Sequence, residues 1–78
     1  MKVGAIAINL FAKQLVGGVP FEAAKGIVLD LNDKDMTGEQ KRAAAVARLH
    51  ELGYALAGFL VNLAVELAVA WVKEKQKG

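Results

Sequence analysis

Few residues in this chain are suited to chemistry. Asp33-Lys34-Asp35-Met36-Thr37-Gly38 sets oxygen-bearing side chains at alternating positions with glycine sixth, as a calcium loop begins. The twelfth position is Ala44, where such a loop needs a bidentate glutamate. The stretch therefore reads as an acidic turn leading into a capped helix. Thr37-Gly38-Glu39-Gln40 fits a capping box, with the Thr37 hydroxyl accepting from the Gln40 backbone N–H and the Gln40 side chain accepting from the Thr37 N–H. His50 is the sole histidine, beside Glu51 and four residues before Tyr54. There is no cysteine or serine, and Thr37 is the only threonine, so His50 has neither a nucleophile nor a metal-ligand set to work with. No catalytic, cofactor-binding or metal residue is expected, and the chain reads as non-enzymatic.

The unusual residue is Glu66, inside GYALAGFLVNLAVELAVAWV, residues 53–72. Those twenty residues hold no Lys, Arg, Asp, Ser, Thr or Pro, and Asn62 is the other strongly polar side chain among them. A carboxyl buried among such neighbours has a raised pKa and would serve as a polar lock between subunits or a proton-sensitive element. The plainer alternative is a glutamate that reaches solvent along a polar stripe.

The elements that must position these residues are helical. At 78 residues the chain is a single domain, residues 1–78, and its hydrophobic share of 55% is high. So short a chain buries only about 60% of the surface its unfolded form exposes, which leaves apolar surface to be covered by something else. Residues 2–16 read as a first helix with Lys2, Asn9 and Lys13 on one narrow polar stripe, ended by Gly17-Gly18. Val3–Leu10 is apolar behind Lys2, but no Ala-x-Ala cleavage site follows at the usual distance, so an ordinary helix is expected and not a secretory signal. Val19-Pro20-Phe21-Glu22 opens a second helix, with proline in the first turn, Glu22 at the positive end of the dipole, and Phe21, Ala24, Ile27 or Val28, and Leu31 on one face. Gly26 weakens that helix or permits a close crossing. A third begins at Thr37 and packs through Val46, Leu49 and Leu52. Gly53 either ends it, giving four helices, or lies within one long helix reaching about Gln76. Apolar spacing continues through Leu49, Leu52, Leu56 and Leu60, which favours the continuous helix.

Residues 53–72 admit two readings. Tyr54 and Trp71 bracket them like an aromatic belt, and Lys73, Lys75 and Lys77 follow. A central charge costs about 2.5–3.5 kcal/mol on insertion, and the Leu, Val and Phe residues return about 0.3–0.6 kcal/mol each, so insertion of a lone helix is near balance. In the soluble reading, Arg48, Glu51, Ala55, Gly58, Asn62, Glu66, Ala70 and Lys73 form a thin wet stripe on a helix otherwise buried in a homo-oligomeric bundle. Both readings place self-association on Tyr54, Leu56, Gly58, Phe59, Leu60, Asn62, Leu63, Glu66, Leu67 and Trp71. The net charge of +2 and the scattered Lys41, Arg42 and Arg48, with no interleaved aromatics, do not make a nucleic-acid surface.

DKDMTGEQKRAAAVARL (33–49) followed by FLVNLAVELAVAWVK (59–73) resembles small bacteriophage lysis-region proteins of the holin-like kind: a capped polar turn, a basic amphipathic helix, then an apolar helix ending in lysine. The resemblance covers about half the chain. It implies a phage setting, oligomerisation and the bacterial inner membrane, where the soluble alternative implies cytoplasm. The chain departs from the pattern in lacking a second full-length span and in carrying Glu66. The expectation is thus an all-α domain of three helices, or four if Gly53 breaks the third. Its last helix is the longest, and its partner is itself, with membrane lipid or another protein as further candidates.

Overall fold

The computed structural model describes residues 4–76, and the first helix's expected start at Lys2 lies outside them. The fold is all-α. Among the described residues four helices follow one another: α1 (Ala5–Val16), α2 (Gly18–Asn32), α3 (Gly38–Glu51) and α4 (Gly58–Gln76).

The preferred continuous third helix is not formed. Gly53 takes φ +78°, and its N–H bonds to the His50 carbonyl, closing α3 as a C-terminal glycine does. Tyr54–Ala57 then run outside any helix, and α4 restarts with the Leu60 and Val61 N–H groups on the Ala57 carbonyl. The apolar spacing across Gly53 reflects two helices that each bury a face, not one rod. Leu52, expected to pack, is left exposed beyond the end of α3.

A single residue turns the chain between α1 and α2. Gly17 has φ 96° and ψ 150°, a conformation closed to other residues without strain, and it serves as cap to both helices. Because α2 starts at Gly18, Glu22 falls past the first turn and its charge is spent elsewhere. The expected capping box is present at α3, with Gln40 N 3.1 Å from Thr37 Oγ1 and Thr37 N 2.9 Å from Gln40 Oε1.

α4 is the central element. It packs on α1, α2 and α3, whereas α1 and α3 do not meet among the described residues. The start of α1 and the end of α4 lie together, with Ala5 and Asn9 beside Trp71 and Lys75, so these two helices run antiparallel. The core takes one stripe from each helix: Ile8, Ala12 and Val16; Phe21, Ala24, Val28 and Leu31; Ala45 and Leu49; Val61, Ala64, Val65, Ala68 and Val72. Ala12, Ala24, Ala64 and Ala68 are completely buried, small residues that let the helix axes approach. Gly26 is exposed and a Cβ there would meet nothing within 4 Å, so no close crossing uses it. α3 is tied to its neighbours by charge, through Arg48 Nη1–Asp30 Oδ2 (2.7 Å) on α2 and Arg42 Nη1–Glu66 Oε1 (3.2 Å) on α4.

Candidate functional site

α1 is turned opposite to the sense expected of a surface helix. Asn9 faces inward and Lys13 leans toward α2, while Gln14 faces solvent. Lys25, on α2, is 8% exposed, and its Nζ donates to Asn9 Oδ1 at 2.9 Å. The same ammonium lies 2.7 Å from Glu22 Oε2 and 4.3 Å from the Trp71 ring centroid, within range of cation–π attraction. Lys13 of α1 approaches Glu22 Oε2 at 3.9 Å. Lys25 thus joins α1, α2 and α4 in one polar seam, and its hydrogen bond with Glu22 holds that carboxyl below its usual range.

Beside the seam, the outward surface of α1 presents hydrocarbon. Ile6 is 79% exposed, Leu10 61%, Phe11 58% and Leu15 42%. These four recur at helical spacing away from Ile8, Ala12 and Val16, and Ala7 and Gln14 lie exposed among them. A water-facing helix would reverse this arrangement.

The residues expected to self-associate are divided by the fold. Tyr54, Leu56, Leu60, Leu63, Leu67 and Trp71 are half-buried against the chain's own core. Gly58, Phe59, Asn62 and Glu66 are exposed, and Phe59, at 72%, is the large apolar one. Asn62 donates to the Gly58 carbonyl one turn earlier. Glu66 is not buried among apolar side chains. It reaches solvent and, among the described residues, pairs with Arg42 of α3 and not with Lys73 or Lys13. Among the described residues the buried charge is Lys25. Its spacing shows this in retrospect, since Lys25 stands four residues after Phe21 and three before Val28, inside the apolar face of α2.

The acidic turn at Asp33–Asp35 is exposed, and among the described residues no cluster of His, Cys, Asp or Glu could hold a metal ion. His50 is exposed in the last turn of α3, where a basic side chain complements the helix dipole. Among the described residues, no helix is long and apolar enough to cross a membrane. No protein-family model, curated protein or solved structure matches the chain.

Proposed function

We propose that this is a non-enzymatic, self-associating helical protein whose copies pair through the outer face of α1. One observation carries the reading: α1 turns Asn9 into the hydrogen bond with Lys25 and leaves Ile6, Leu10, Phe11 and Leu15 in solvent. The exposed parts of these four side chains amount to roughly 450 Å². A standard interface takes about 800 Å² from each partner, and Ala7, Gln14 and the Lys13 stem supply further area around the four. At about 25 cal/mol per Å², covering 450 Å² on each of two copies is worth about 20 kcal/mol gross, against an association cost of about 4–15 kcal/mol. A single helix face shared by two identical chains makes a two-fold interface, the commonest arrangement for a homodimer.

A membrane surface is the competing occupant, and the holin-like resemblance favours it. A helix that lies on lipid carries cations along the margin of its apolar face. Here Lys13 is the flanking cation on α1 among the described residues, and Glu22 stands 3.9 Å from it. That argues for a second copy.

The test is sedimentation of the full chain in detergent-free buffer, beside the double variant Leu10→Glu/Phe11→Glu. The wild type is expected to run as an oligomer of one size, and the variant as a monomer with unchanged helicity. Phe59→Glu reports whether the start of α4 joins the interface. A wild type that is monomeric at about 100 μM, or that departs from monomer only by pelleting with phosphatidylglycerol vesicles, overturns the proposal; that concentration sits well above the dissociation constant of an ordinary specific dimer.

A further inference from the structure

A cleft of about 440 Å³ opens between the end of α2, the start of α3 and the last turns of α4, on the α3 side of the molecule. Its size is that of a small-molecule site. Its walls are hydrocarbon, from Val28 and Leu31 of α2, Ala45 of α3, and Val69 and Val72 of α4. Its mouth is basic, with Lys41, Arg42 and Lys73 against the one carboxylate of Glu39. Lys41 Nζ is 3.4 Å from the Asn32 carbonyl, and Arg42 shares its charge with Glu66. Lys73 is exposed and has no ion pair or hydrogen bond among the described residues.

We infer that this cleft binds a single-chain anionic amphiphile of the fatty-acid class, with the chain along the valines and leucine and the carboxylate at Lys73 and Lys41. Charge complementarity selects an anion, and the hydrocarbon walls select a tail. The volume admits one chain and not the paired chains of a bilayer phospholipid, which points to a free acid as the source. The site is separate from the face proposed for self-association, since none of its walls comes from α1.

Titration of the full chain with laurate, kept below its micellar concentration and followed by calorimetry and amide chemical shifts, tests the inference. One saturable site per chain is expected, with shifts centred on Val28, Ala45 and Val69. Lys73→Glu, an exposed change, is expected to weaken binding at least tenfold. Val69→Phe, which fills the cleft, is expected to abolish it, with circular dichroism checking that the helices persist. Dodecyltrimethylammonium, with the same tail and the opposite head, is expected not to compete. Leu10→Glu/Phe11→Glu is expected to bind laurate as the wild type does, which keeps this result independent of self-association. Unaltered binding in Lys73→Glu, equal binding of the cationic chain, absence of saturable binding, or binding to phosphatidylglycerol vesicles in place of laurate overturns it.

Discussion

Truncating Lys25 to alanine is expected to be far more damaging than neutralising Glu66, although Glu66 is the charge the sequence makes conspicuous. Lys25 is 8% exposed and donates to Asn9 Oδ1, which it would leave half-buried without that donor. A hydrogen bond from a charged group is worth about 1.5–3 kcal/mol. The contact with the Trp71 face adds about 0.5–2 kcal/mol, and the methylenes removed from the packed stem about 0.8 kcal/mol each. The ion pair with Glu22 adds little, because that carboxylate is more than half exposed. These terms overlap, and the net for Lys25→Ala is about 3 kcal/mol. A chain of this length has about 4–12 kcal/mol of stability in total, so the melting temperature is expected to fall by about 12–24 °C. Lys25→Met keeps most of the stem and removes a buried charge, and is expected to cost about 1 kcal/mol. Glu66→Leu breaks only an exposed pair and is expected to stay within about 0.5 kcal/mol of wild type. Urea unfolding read by far-ultraviolet circular dichroism and by Trp71 fluorescence measures all three, since Trp71 is the only tryptophan and lies against Lys25. If Lys25→Ala stays within 0.5 kcal/mol of wild type, or if Glu66→Leu costs as much as Lys25→Ala, the seam is not what anchors α1; the 0.5 kcal/mol bound is roughly that of an ordinary surface substitution.

Gly53→Ala places a Cβ in open space but forces alanine to φ +78°, so a loss of about 1–2 kcal/mol with unchanged helix content is expected in the same unfolding assay. A gain in helicity with no loss of stability would show that α3 and α4 readily fuse. Glu22 and Asp30 both have lowered pKa values, Glu22 through its hydrogen bond with Lys25 and Asp30 through its hydrogen bond with Arg48. Their contribution is full above the ordinary values of 4.5 and 3.8 and is lost as pH falls below them through the lowered folded-state values. Urea midpoints are therefore expected to drop on acidification through this window, and less steeply in Glu22→Gln. A midpoint that is flat or rises there contradicts the assignment.

Local signals were legible wherever one residue had one geometric meaning. Thr37 and Gln40 specify a helix start by reciprocal bonds, and Pro20 with Phe21 marks the first turns of α2. The all-α architecture follows from such signals together with apolar spacing. Gly53 was ambiguous because a glycine after an apolar turn suits both a helix end and a helix interior, and the deciding quantity is a backbone angle. The orientation of α1 was hidden for a different reason. Apolar residues cover most of its circumference, so periodicity permits Asn9 and Lys13 to face solvent, and only the presence of Lys25 and Glu22 on α2 draws them in. Glu66 stood out by contrast with its neighbours along the chain, yet burial depends on neighbours in space, and Arg42 with open solvent were those neighbours.

The helix that touches every other one follows the other three along the chain. Phe21, Ala24 and Leu49 share one core with Val61, Ala64 and Val65 of α4. A chain that stops ahead of Gly58 keeps the α1–α2 and α2–α3 contacts but lacks the helix that packs on all three. Such a product buries less apolar surface against the loss of chain freedom, and is more open to proteases and chaperones. The nineteen-residue α4 is therefore the keystone of the four-helix packing among the described residues.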